Sequence, residues 1–443
     1  MRSTKYLIAA ALTTFLLLLT IVYRIRPASG ASSFQIWESS RRKQDTTQQE
    51  EKYITFYPHS GLHNQRLALL NAMVLAKALD RTLILPEINI GRGVYWWPSP
   101  QLEQKMSDCP SRPVLDRKGL CTEYRHYVPV PVSTIFDLSV LDNVGIKYIQ
   151  RDDMSTNYFA SEWGVEHDDP EHVYRLNDDS RFSYRIFDVK ESSTQELMQF
   201  KYRIDLDDLA ARSERFMVFG SLFATPRLVL ERDDLYWLRE YLASEMGFGH
   251  PTVIQQTLNV VSLLGGPGEF ASVHLRTGDG VFKATMTYTM DKVREQLAQV
   301  NAGTHRMHHQ HEYELIDRLQ SLAQEGKYDT MLNECVALQH DRDLLHPRLR
   351  LIFMATDTAQ PRHTVPHLFE EFVCMFTLSD FSQAIDIAMT SSDSYGPLLL
   401  PLIDAEIAAH GSFFVGTRKS TFSKYIQYRN RRFLAYYPQV NAA

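Results

Sequence analysis

The chain has no Asn-x-Ser/Thr sequon, no internal repeat and, beyond Arg26, no second apolar run long enough to span a membrane. The missing sequon weighs mildly against a secretory route. Basic charge is not in excess either: 47 Lys and Arg stand against 53 Asp and Glu, a net charge of -6 with a pI near 6.2. That balance excludes a polycationic nucleic-acid footprint and leaves a small molecule or a protein as the partner. What is present is ordinary globular material, 44% hydrophobic and 11% aromatic, in a 443-residue chain too long for one core.

One uncharged apolar run, Tyr6 to Val22, lies between Arg2 and Lys5 on one side and Arg24 and Arg26 on the other. Snorkelling arginines extend it to spanning length, so residues 1–26 read as a cytoplasmic tip and signal anchor with a luminal body. A cleaved signal peptide is the alternative, with small residues at Ala28 to Ala31. Residues 27–52 are polar and charged and read as a stem. Four cysteines suit an oxidising compartment, the endoplasmic reticulum or Golgi. Cys109 and Cys121 flank a short loop that a disulfide would close. Cys335 and Cys374 stay open, because Cys374 lies in an apolar run and can serve as a small buried hydrophobe.

Beyond the stem the pattern is α/β. Tyr53 to Pro58 reads as a strand, Gln65 to Leu79 as a helix by its apolar spacing, and Thr82 to Leu85 as a strand again. Residues 95–215 give no assignable topology. A βα rhythm returns with strands over Phe270–Leu275, Leu349–Thr356, Val373–Thr377 and Ser412–Val415 and a last helix from Ser420 to about Arg432. Two α/β domains, 53–250 and 251–443, account for this, with the final helix able to pack back across the boundary. Four histidines in His305–His311 read as a loop rather than a metal site, since no cysteine lies nearby.

Three loops follow strand-like runs: His59 to Arg66, His274 to Asp279 and Gly416 to Ser423. In the first, Gly61 permits unusual backbone geometry, and Asn64 and Arg66 offer donors to a diphosphate; otherwise Asn64 caps the helix and Arg66 sits on its outer face. In the second, strand alternation presents His274 and Arg276 together, and Arg276 can hold phosphate bidentately with Asp279 orienting it. A structural Arg276–Asp279 pair at a turn is the other reading. In the third, Thr417 breaks the strand, Ser420 is a helix N-cap, and Thr421 and Phe422 present amide N–H groups to an anion or simply begin a helix. Asp357, at a strand end, can accept from both N1–H and the exocyclic amine of guanine, or cap the following segment. Such a set suits a nucleotide-sugar and a glycosyltransferase.

The set resembles the GDP-fucose-dependent O-fucosyltransferase superfamily, through a Gly-x-x-Asn-Gln loop (Gly61–Gln65), a His-Leu-Arg-x-Gly-Asp loop (His274–Asp279), an Ala-Thr-Asp strand end (Ala355–Asp357) and a Gly-Thr-x-x-Ser-Thr-Phe-Ser segment (Gly416–Ser423). The resemblance implies a GT-B fold of two Rossmann-like domains, GDP-fucose as donor, inversion at the sugar carbon, and no obligatory metal or other cofactor. It makes Arg276 the catalytic arginine that meets the leaving β-phosphate. Gly61, Asn64, Arg66, His274, Asp279, Asp357, Thr417, Ser420, Thr421 and Phe422 become the donor-site set. No Asp-x-Asp pair stands in a convincing context for a metal-held nucleotide, which agrees. The base stays open among His59, His63 and the acids from Glu162 to Asp169. The expected activity is transfer of fucose to a hydroxyl, Ser or Thr of a protein first. An α1,6-type transfer to a glycan and a catalytically silent binding protein are the alternatives.

Overall fold

A computed structural model describes residues 50–109, 121, 126–193, 196–278, 280–299, 310–339, 347–389 and 396–438. The expected signal anchor, most of the stem, the loop His305 to His309 and Asp279 lie outside the described residues. Among the described residues no helix is long and apolar enough to cross a membrane.

The strands are short, and their partners are set by burial on both faces. They run in chain order as β1 (Tyr53–Phe56), β2 (Thr82–Leu85), β3 (Ile88–Gly91), β4 (Tyr127–Val130), β5 (Tyr148–Gln150), β6 (Val173–Leu176), β7 (Tyr184–Phe187), β8 (Tyr202–Asp205), β9 (Phe216–Phe219), β10 (Leu228–Val229), β11 (Ala271–Leu275), β12 (Ile352–Thr356), β13 (Met375–Phe376) and β14 (Phe414–Gly416). A parallel sheet has the order β5-β2-β1-β9-β6, and a second parallel sheet the order β13-β12-β11-β14. Smaller pieces, β10-β7-β8 and the antiparallel pair β3-β4, complete the first half. β1, β2, β9, β11 and nearly all of β12 are buried along their length, the signature of sheets covered on both faces. The expected mixed α/β architecture with parallel sheets is therefore present.

Five helices matter for the site: α1 (Leu62–Ala78), α2 (Asp233–Glu245), α3 (Pro251–Leu263), α4 (Leu400–Ala409) and α5 (Thr421–Tyr436). α1 starts three residues before the sequence expectation, because Gly61 rather than Asn64 is its N-cap. It is buried from Gln65 to Ala76 without a break, so no side chain of that stretch reaches solvent. α5 does return to the first half. Tyr428 donates to Glu240 at 2.9 Å, Arg432 pairs with Glu245 at 2.6 Å, and Arg429 donates to the Ser244 carbonyl at 3.1 Å.

Both cysteine pairs form disulfides, Cys109–Cys121 and Cys335–Cys374. The second bridge, left open by the sequence, ties the helix Tyr328–Leu338 to the residue just before β13.

Candidate functional site

Register decides where the second-half loops meet. His274 of β11 lies opposite Ala355 of β12 and Gly416 of β14, so the residues that follow, Arg276, Asp357 and Thr417, leave three adjacent strand ends together. Carboxyl ends of parallel strands are where open α/β sheets bind ligands. A cavity of about 1220 Å³ opens there, lined by His274, Arg276, Asp357, Ser420, Thr421 and Phe422 on one side and by Gly61, His63 and Asn64 on the other. Sequence positions 61 and 422 thus share one wall-to-wall space.

Arg276 and Asp357 form the centre. Asp357 Oδ2 lies 3.2 Å from Arg276 Nε, Oδ1 accepts from the Thr277 N–H at 2.7 Å, and Oδ2 accepts from the Gly278 N–H at 3.0 Å. Gly278 has no room for a Cβ, which would come within 2.7 Å of that carboxylate. Asp357 therefore holds the Arg276 turn. Both of its oxygens are engaged by the turn, and it takes the orienting part expected of Asp279.

His274 is buried beside Arg276 and stacks on Phe422 with ring centroids 4.5 Å apart. Its Nδ1 is 2.6 Å from Ser423 Oγ, which already accepts from the Thr417 N–H at 2.9 Å. The serine hydroxyl retains a donor and a second acceptor position, so Ser423 fixes the orientation of the ring. Burial, reinforced by Arg276 against the opposing pull of Asp357, takes the imidazole down to about 3. It is a neutral imidazole.

Ser420 is the N-cap of α5, its hydroxyl accepting from Ser423 N–H at 3.3 Å. The first-turn amides of Thr421 and Phe422 have no partner inside the helix. Asn64 stands in the first turn of α1, which opens on the same cavity. Two helices of 17 and 16 residues therefore aim their N-termini at one space, next to Arg276 and Lys419.

Three sequence expectations are corrected. Gly61 has an ordinary extended backbone, φ -66°, and open space where a Cβ would go; its neighbour Ser60 carries the left-handed φ of 68°. Arg66 is not in the cavity. Its guanidinium donates to the carbonyls of Ala243 and Met246 at 2.7 and 2.8 Å, where it serves the C-terminal end of α2, and it lies over Tyr425. Thr417 is scaffold rather than ligand contact: its hydroxyl accepts from the Arg276 N–H at 3.0 Å and donates to the His274 carbonyl at 2.8 Å.

Sequence reasoning missed Asp404 on α4. It is buried and lines the cavity, its Oδ2 accepts from the Thr356 N–H at 3.2 Å, and its Oδ1 has no hydrogen-bond partner. Burial pushes the carboxyl well above the usual carboxylate range. The signal was available: a carboxylate directly after the apolar run Leu398 to Ile403 places a charge where burial is expected. Glu406, two residues on, does have one, in its bond with Tyr425.

The proposed bases fare differently. His59 bonds Ser60 and Ser221, and burial together with Arg181 and Arg227 lowers it to about 3. His63, packed against Phe422 and Tyr425, is likewise taken down to about 3, chiefly by burial. Asp169 is engaged by His172 at 2.8 Å and does not line the cavity.

No family model matches the chain, and no curated protein matches it. Among solved structures it is similar to POFUT1 in complex with GDP-fucose, at 12% identity over 87% of this chain and 95% of that one, TM-score 0.39. It is also similar to the fucosyltransferase NodZ from Bradyrhizobium, at 14% identity over 85% and 93%, TM-score 0.36. Likeness of this degree carries nothing about activity, which rests on the cleft itself.

Proposed function

We propose that the chain is a glycosyltransferase that moves fucose from GDP-fucose to a hydroxyl, first of all Ser or Thr of a protein, on a GT-B type frame. The observation that carries this reading is the convergence of two helix N-termini on the cavity that holds Arg276. Helix ends bind anions through exposed amides and the macrodipole, and an arginine fork adds charge-assisted bonds to the same diphosphate. The identity of the sugar rests on the resemblance of the four loops.

In this reading the diphosphate lies between Arg276 and the first turn of α5, with the neutral His274 giving one further hydrogen bond. Guanine lies at Asp404, whose unpartnered oxygen can accept from N1–H and whose carboxylate form can also accept from the exocyclic amine, a pair of donors that adenine lacks. The acceptor oxygen bonds to the sugar carbon as the bond to the β-phosphate breaks. The electron pair leaves with GDP, where Arg276 and the amides stabilise it. The hydroxyl proton passes to water once the new bond to the sugar carbon has made that oxygen a strong acid, so the step needs neither His59 nor His63, both lowered to about 3. An endoplasmic reticulum or Golgi location through an N-terminal anchor belongs to the same proposal; the two disulfides support an oxidising compartment.

The test is thermal stabilisation of the chain by GDP, GDP-fucose, GDP-mannose and UDP-sugars. Ligand at 100 times its Kd adds about 2.7 kcal/mol. Response to guanine nucleotides alone is the expected result, and a preference for UDP-sugars overturns the donor assignment.

A further inference from the structure

The cavity wall contributed by the first half is basic, although acidic residues outnumber basic ones in the chain, 53 to 47. Arg92, His126 and Arg181 line it, and among the described residues no Asp or Glu of that half does. Among the described residues neither Arg92 nor Arg181 makes an ion pair; the Arg181 guanidinium has only the face of Phe223 beneath it, 5.8 Å from the ring centre. Two exposed arginines would ordinarily be a solvated surface. Here the backbone fixes where one of them stands.

Arg92 lies between two glycines, neither of which has space for a side chain. A Cβ on Gly91, whose φ is 104°, would come within 2.5 Å of the His126 carbonyl, and one on Gly93 within 2.8 Å of the Gly61 N. The Arg92 N–H donates to that same His126 carbonyl at 2.8 Å, and Val94 bridges to Ser60. The turn that carries Arg92 is thus wedged against the loop that begins α1. The positive potential of the wall is felt by its neighbours: Arg181 helps to lower His59.

Resting on the transferase reading above, we propose that the acceptor is an acidic peptide, a Ser or Thr flanked by Asp or Glu, whose carboxylates are held by Arg92 and Arg181 while exposed Tyr95 and half-buried Phe223 border the peptide. The second half supplies the charges that the donor needs, Arg276 and Lys419, so the first-half arginines remain for a second anion. Guanidinium forks take a carboxylate bidentately, and a basic cleft steers an acidic partner.

The experiment measures binding of fluorescent Thr peptides to the full chain by anisotropy, without nucleotide, with Glu, Gln or Lys flanking the Thr. GDP thermal stabilisation is measured in parallel. The Glu peptide is expected to bind about tenfold or more tighter than the Gln peptide, by the strength of charge-assisted bonds. The difference should shrink at high salt. Arg92→Gln and Arg181→Gln should each erase it while GDP still stabilises the variants. Equal binding of Glu and Gln peptides overturns the proposal. So does tighter binding of a uronic-acid oligosaccharide than of the Glu peptide, and so does loss of the GDP response in the variants, which assigns these arginines to the donor. If GDP fails to stabilise the unaltered chain while the acidic preference persists, the donor reading alone falls.

Discussion

Asp357 Oδ2 lies 3.2 Å from Arg276 Nε, and the same carboxylate takes the two amide hydrogens of Thr277 and Gly278. The cation is therefore held in place before any ligand arrives, which is what electrostatic stabilisation of a leaving group requires.

Arg276→Ala and Arg276→Lys should both lose most transfer activity, on the order of 10² to 10³ in rate, with the fold intact. Lysine keeps the charge but has no planar fork to share between Asp357 and phosphate. Steady-state transfer rates with circular dichroism as the folding control check this. Near wild-type transfer by Arg276→Ala would return the arginine to a structural turn.

Asp404 predicts a pH dependence. Its folded-state pKa is raised above an unfolded value of about 3.9. Its contribution to stability is thus fully present below that value and is lost as pH rises through the folded pKa. Asp404→Asn should flatten this slope in denaturant titrations of the nucleotide-free chain across pH. The same change should weaken GDP binding by about 10 to 150-fold, the worth of one charged hydrogen bond. Unchanged GDP affinity would remove Asp404 from the base site.

Ser423→Ala leaves two buried groups without a partner, Thr417 N–H and His274 Nδ1. A loss of about 1–3 kcal/mol in unfolding free energy is expected. Loss of the serine hydroxyl is also expected to shift the tautomer balance of His274, which nitrogen-15 imidazole shifts report directly. An unaltered tautomer would mean that the serine does not set it.

Removing the bridges should cost unequal amounts. Loop lengths of 12 and 39 residues give about 3 and 4 kcal/mol for Cys109–Cys121 and Cys335–Cys374 in the chain-entropy account. Double Cys→Ala variants compared by urea unfolding test both. Free thiols in non-reducing peptide maps would rule the bridges out.

Much of the site was legible because its loops couple two local signals, the end of a buried strand and the start of a helix. Strand alternation correctly sets Val273 and Leu275 in the core and His274 and Arg276 on the cavity side. Residues 95–215 were opaque because their strands are three or four residues long and pair with partners distant in sequence, as β5 does with β2 and β6 with β9. Arg66 misled for a related reason. A helical wheel gives α1 an outer face, yet α2 and α5 cover it from positions 177 and more than 350 residues away, which no local pattern encodes. Asp404 was readable in principle as a charge without a local purpose.

Synthesis proceeds from the first residue to the last, so α5 leaves the ribosome after every other part of the cleft. Until it does, the buried face of α1 around Arg66 and the C-terminal end of α2 have no cover, and the first-turn amides of Thr421 and Phe422 do not exist. A nascent chain stalled before residue 421 would carry Arg276 and Asp404 yet hold an unfinished pocket with open apolar walls. α5 thus completes the cleft and covers the apolar walls around Arg66 in one step.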